Sequence, residues 1–183
     1  NDISGDNASR LATSGGDWVY LIGSDFGPVF TSLEAEYQNA DLDGLAGTSF
    51  SAVQCEVATA DTIVRCEATA GVGHSQHWIL KVVHWSAAHD QASPVSTATT
   101  SYARPTVVSL DVVDGGPGAR TLATNGTDFV QVTGYDFGPV NASNIVSAVY
   151  QNHALSFLAA AAYAVTCVVT VDHAQMQCGS AVG

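Results

Sequence analysis

The stretch Gly23-Ser24-Asp25-Phe26-Gly27-Pro28-Val29 returns as Gly134-Tyr135-Asp136-Phe137-Gly138-Pro139-Val140, 111 residues further on. Upstream of it, Leu11-Ala12-Thr13-Ser14-Gly15-Gly16-Asp17-Trp18-Val19 returns as Leu122-Ala123-Thr124-Asn125-Gly126-Thr127-Asp128-Phe129-Val130. Downstream, Tyr37-Gln38-Asn39 matches Tyr150-Gln151-Asn152 at an offset of 113, and Cys55 and Cys66 match Cys167 and Cys178 at 112. Offsets that drift by one or two residues are what loop insertions on a common scaffold produce. The chain is a tandem duplication. Its boundary is read at Tyr102-Ala103-Arg104-Pro105, with the first copy over residues 1–103 and the second over 104–183. The small, hydroxyl-rich residues 92–101 just before it are read as a last exposed strand, since Thr and Val suit strands. A flexible, O-glycosylated linker is the alternative.

The local patterns are those of an all-β protein. Trp18–Ile22 and Phe129–Thr133 are β-branched and aromatic, and each runs into a Gly. In the second, apolar Phe129, Val130 and Val132 stand beside polar Gln131 and Thr133, approximating a half-buried period of two. Trp78–Trp85, Thr106–Val113 and Val165–Val171 read as further strands. The Ala-rich Leu155–Ala164 reads as a strand or short helix inserted between strands. Short strands punctuated by Gly, Pro, Asn and Asp point to β-sandwiches.

Composition narrows the class. The chain has 183 residues, 46% hydrophobic and 12% charged, with 5 Lys and Arg against 17 Asp and Glu, a net charge of −12. Two small domains with real cores fit this length, and the apolar content argues against disorder. Five scattered cations make no footprint for a phosphate backbone, so nucleic acid is excluded as a partner, and anionic lipid surfaces would repel the chain. No apolar run approaches the ~20 residues of a membrane span. Asn1-Asp2-Ile3-Ser4 lacks a basic end followed by an apolar run, so no signal peptide is read there, and the missing initiator Met suggests a mature or excised piece.

These motifs, taken together, resemble the immunoglobulin-like domain shared by plexins and transcription factors, IPT/TIG. That family carries a strand ending in Gly-x-x-Phe-Gly, a Cys pair, a Gly-rich turn, a long strand and a Tyr-x-x-Pro step into the next copy. Gly23–Gly27 and Gly134–Gly138 match the first element, Gly71-Val72-Gly73 is similar to the Gly-rich turn, and Tyr102–Pro105 is similar to the step. The resemblance implies two immunoglobulin-like sandwiches in tandem. The Gly residues permit backbone angles that a side chain forbids, and the Phe folds back to plug the sandwich end. Two departures matter. The polar, Gly-containing Asn1–Arg10 leaves the first copy without the Pro-led opening strand that Thr106–Val113 supplies to the second. The second copy has no match for the region from Trp78 onward, so its sandwich is expected to lack about two strands. An open edge exposing a core is costly and sticky. Continuing chain in a longer array, or a strand donated by a neighbouring copy, is expected to fill it; a degenerate second domain is the alternative.

The cysteines sit 11 apart in both copies, which suggests the hairpin-like disulfides Cys55–Cys66 and Cys167–Cys178. An oxidising, extracellular setting follows. A zinc site is the alternative, but a spacing of 11 without a Cys-x-x-Cys knuckle disfavours it. Sequons at Asn7, Asn125 and Asn141 are candidate N-glycan acceptors. Asn39-Ala40-Asp41-Leu42-Asp43-Gly44 has the alternating oxygens of a calcium loop, yet its twelfth position is Phe50, which offers no ligand, so an acidic turn is the better reading. His77 and His84 differ by an odd number and face opposite sides of a regular strand. They are read as ordinary surface or half-buried residues rather than metal ligands, as are His74 and His89. Trp18, aligned with Phe129, is read as core. Trp78 and Trp85 cannot both face inward, so one is exposed, as suits a partner interface. No nucleophile elbow, no carboxylate pair in a catalytic context and no phosphate loop is legible, Gly115-Gly116-Pro117-Gly118 lacking the following Lys and Ser/Thr.

The chain is therefore expected to be extracellular or at the cell surface, non-enzymatic and without a cofactor. It is read as a structural subunit of a fibre, appendage or surface coat joined end to end with copies of itself. The alternative is a ligand- or carbohydrate-binding ectodomain fragment of a cell-surface receptor.

Overall fold

The structure, a computed structural model, describes residues 2–4, 8–39, 49–84, 87–113, 121–140, 145–151 and 162–182. It is all-β, with antiparallel strand pairing throughout the sheets. The chain divides into two compact units, Asn1–Arg104 and Pro105–Gly183.

The first unit contains β1 (Asp2–Ser4), β2 (Trp18–Ile22), β3 (Leu33–Asn39), β4 (Phe50–Ser51), β5 (Gln54–Thr59), β6 (Ile63–Glu67), β7 (Gln76–Val82), β8 (Gln91–Ala92) and β9 (Thr99–Thr100). One sheet has the order β1-β2-β6-β5, and the other the order β4-β3-β7-β8, with β9 also on β7. A single core joins them into a sandwich: Val19, Leu21, Val64 and Cys66 from the first sheet meet Ala35, Tyr37, Trp78 and Leu80 from the second. Alternation makes this possible. In β3, Leu33, Ala35 and Tyr37 are buried while Glu34 and Glu36 are exposed. Each large side chain so buried contributes roughly 1.5–3 kcal/mol.

Three sequence expectations are corrected here. The first copy does have an opening strand, since β1 pairs with β2; three residues of backbone pairing leave no composition signal. The expected strand at 92–101 is two pieces of two residues, β8 and β9. Pro94 lies between them and has no N–H to give the ladder. Trp18 is not core. β2 turns Val19 and Leu21 inward, leaving Trp18, Tyr20 and Ile22 on the opposite face. There the Arg65 guanidinium lies 4.7 Å from the Trp18 ring centroid.

The second unit contains β10 (Thr106–Val112), β11 (Phe129–Tyr135), β12 (Ile145–Gln151), β13 (Ala162–Val171) and β14 (Gln175–Gly179), in one sheet of order β10-β11-β14-β13-β12. The strands β10-β11-β14-β13 repeat β1-β2-β6-β5 one for one. The hairpin bulge agrees as well, lying between Val57 and Thr59 in one copy and Val169 and Val171 in the other, while β10 adds one between Val107 and Ser109 that β1 lacks. Of the expected insertion at Leu155–Ala164, Ala162–Ala164 opens β13 and the remainder lies outside the described residues. Among the described residues nothing corresponds to β7, β8 or β9. The block that forms β3 in the first copy takes a different neighbour in the second, where β12 hydrogen-bonds to β13. The described core is Val132, Phe137, Cys167, Val169, Met176 and Cys178, with Val130, Val146, Ala148 and Val165 half-buried against it.

Candidate functional site

The duplicated turn that decides the fold is built identically in both copies. Asp25 and Asp136 take φ of 63° and 62°, and Gly27 and Gly138 take 83° and 87°. Asp tolerates this left-handed region and Gly has no penalty there. The reversal aims Phe26 and Phe137 into their cores, both buried. It also docks the turn on the neighbouring hairpin tip. Phe26 N–H donates to the Asp61 carbonyl and Asp61 N–H to that of Gly27, while Phe137 N–H donates to the His173 carbonyl and His173 N–H to that of Gly138. In each copy the hairpin so held is stapled. Cys55 pairs directly with Cys66 across β5 and β6, and Cys167 with Cys178 across β13 and β14. The Cα separations are 4.1 and 4.0 Å, and both pairs form disulfides. Each bridge joins neighbouring strands of one sheet rather than tying two sheets together.

The first unit is closed around a polar triangle. Thr69 N–H donates to the Tyr37 hydroxyl oxygen at 3.0 Å, and the Tyr102 hydroxyl donates to the Thr69 carbonyl at 2.8 Å. The two hydroxyls are 2.7 Å apart. Since the single Tyr102 proton goes to Thr69, the Tyr37 hydroxyl donates to Tyr102. Burial pushes the Tyr102 phenol far above its ordinary value, helped by Tyr37. Burial also raises Tyr37, against the opposing pull of its Tyr102 and Thr69 partners. Tyr37 stacks on Trp78 with centroids 4.1 Å apart, and the Trp78 ring N–H donates to the Thr100 hydroxyl at 3.0 Å. Gly71 completes the packing: a Cβ there would stand 2.6 Å from the Phe50 ring and 2.7 Å from the Tyr102 oxygen. The groove between the sheets, lined by Ile3, Leu21, Phe26, Trp78, Leu80 and Pro94, holds a cavity of about 30 Å³. That is room for one water and far below a substrate pocket.

The remaining expected residues are dispersed. Asn125 is exposed, and its side-chain oxygen accepts from the Thr127 N–H and hydroxyl of its own sequon. Asn7 and Asn141 lie outside the described residues, as do Trp85 and positions 40–44 of the acidic turn. His77 contacts the Ser96 carbonyl at 2.7 Å. The His84 and His89 rings meet edge to face at 5.4 Å, a proximity not foreseen from the sequence. Among the described residues no three His, Cys, Asp or Glu are grouped to hold a metal.

What the second unit offers instead is apolar surface on its edge strands. Val107, Val108 and Leu110 of β10 are 54, 62 and 59% exposed, and Val149 of β12 is 63% exposed. Tyr150, also exposed, stacks on Tyr163 with centroids 5.3 Å apart. The sequence suggested an uncovered edge without saying which strands would form it. In the first unit a different residue stands out. Phe30 is 97% exposed with φ of 82°, at the position that Asn141 occupies when the two Gly-Pro-Val turns are aligned.

Comparison with family models, with curated proteins and with solved structures returns no match.

Proposed function

We propose that this chain is an extracellular, non-enzymatic structural protein, a building block of a fibre, appendage or surface coat in which IPT/TIG-like modules join end to end. One observation carries the reading: large apolar side chains stand exposed on both edge strands, Val107, Val108 and Leu110 on β10 and Val149 and Tyr150 on β12, in a unit whose described strands form one sheet, whereas the two sheets of the first unit close on each other. Edge strands that carry exposed apolar side chains favour pairing with another chain. Two disulfides suit an oxidising compartment, and no helix of the described residues is long and apolar enough to cross a membrane. N-glycans on Asn125, and on Asn7 and Asn141, would solubilise a surface poor in charge. Electron microscopy of the native material, with the purified chain at rising concentration alongside, tests the reading. Filaments or end-to-end strings are expected; discrete single particles in both preparations overturn it.

A further inference from the structure

Natural sheets blunt their edges with short strands, charges, prolines or bulges, because an unpaired edge is a template for another strand. In the first unit every edge is treated in this way. β1 has three residues, β4, β8 and β9 have two each, and Pro94 separates the last two. β5 carries Glu56 and its bulge. In the second unit β10 follows Pro105, bulges between Val107 and Ser109, and carries Asp111. β12 has none of these devices. Its seven residues, Ile145-Val146-Ser147-Ala148-Val149-Tyr150-Gln151, include no charge, proline or glycine. They pair with β13 in unbroken register from Ile145↔Val168 to Gln151↔Ala162. Among the described residues no strand lies on the other side.

The duplication gives the contrast that matters. Aligned on Tyr37-Gln38 and Tyr150-Gln151, β3 reads Leu33-Glu34-Ala35-Glu36-Tyr37 where β12 reads Val146-Ser147-Ala148-Val149-Tyr150. β3 has strands on both sides, β4 and β7, and carries two carboxylates. β12 has one neighbour and has lost both carboxylates.

We infer that β12 pairs antiparallel with β12 of a second copy of this chain, about a two-fold axis at Ala148, merging two five-stranded sheets into one. In that register Val146 of each copy opposes Tyr150 of the other, a β-branched–aromatic pair made twice, and no like charges meet. The neutral strip is what two molecules of net charge −12 need in order to touch. The other edges of a second copy are too short, bulged or charged to match seven regular residues. The inference rests on the self-assembly reading above and names its contact. An isologous junction closes on itself, so it joins copies in pairs, and a longer assembly uses a second surface.

Light scattering after size exclusion, on the full chain from about 1 μM to about 1 mM, tests the junction against Ser147→Glu/Val149→Glu, which transplants the β3 carboxylates. The wild type should pass from monomer to dimer, and the variant should need at least about tenfold more protein to do so. Because the variant can fail to fold, a second arm uses Ala148→Cys under oxidation, which should give a covalent dimer with a 148–148 peptide by mass spectrometry. Ser109→Cys on β10 should give none. Self-association unchanged by the two Glu residues and uncaptured at 148 overturns the β12 junction while leaving assembly to another surface. A wild type monomeric at the highest concentration overturns the junction as well, and electron microscopy of native material then decides the assembly reading by itself.

Discussion

Tyr37 and Tyr102 are the residues on which the first unit's chemistry turns. Both phenols titrate above their ordinary range in the fold because burial disfavours the phenolate. As pH rises, the unfolded chain loses these protons first, near pH ~10. The stabilisation is therefore whole below that pH and is lost as pH climbs from there toward the folded values. Denaturant midpoints followed by Trp fluorescence should fall steeply above about pH 10, and Tyr37→Phe/Tyr102→Phe should flatten the slope. Equal slopes in the two proteins would refute the assignment. The double change should also lower stability at neutral pH by about 1–3 kcal/mol, because Thr69 is left with an unpaired N–H and carbonyl. Residue-level reading of the sequence failed at Trp18 for a definite reason. Trp18, Val19, Tyr20, Leu21 and Ile22 are all apolar, so period two is present in the backbone but invisible in the side chains. Which parity faces inward is decided by the sheet opposite.

At the scale of elements the hairpin β5–β6, with its copy β13–β14, is the conserved unit of the duplication. The spacing of 11 was legible because two cysteines directly opposed across a hairpin must be separated by the hairpin's own length. Each bridge closes a short loop, so its entropic contribution is modest, about 2–3 kcal/mol. Cys55→Ala/Cys66→Ala should lower the first unit's unfolding free energy by about that amount without changing its fold. Chemical denaturation with Trp fluorescence reads this, and a loss near zero would mean that β5 and β6 are held by their ladder alone. The strands that carried bulk or β-branching, β2, β7, β10, β11 and β13, were legible. β8 and β9 read as one strand over 92–101. β1 and β4 went unread because two or three residues of ladder hydrogen bonding leave no pattern in composition, and β3, β5, β6, β12 and β14 went unread as well.

For the molecule as a whole, the two units differ in how completely their described strands enclose a core, so they should unfold separately. All three tryptophans, Trp18, Trp78 and Trp85, fall in the first unit. Heating should therefore give a transition in far-UV circular dichroism that Trp fluorescence does not report, followed by one that both report. The first should move to higher temperature with protein concentration, as mass action requires of a self-associating unit. A single transition coincident in both probes would count against it. The amino-acid order alone determined the duplication, the all-β class, the paired turns and the cysteine partners, because each depends on contacts between residues near in sequence or on identity between copies. Only the tertiary structure decided which face of β2 is inside, that β12 leaves the sheet position of β3 to join β13, and which edge stands unprotected. Those depend on which strands are present to be paired, and a strand's own residues do not record its neighbours.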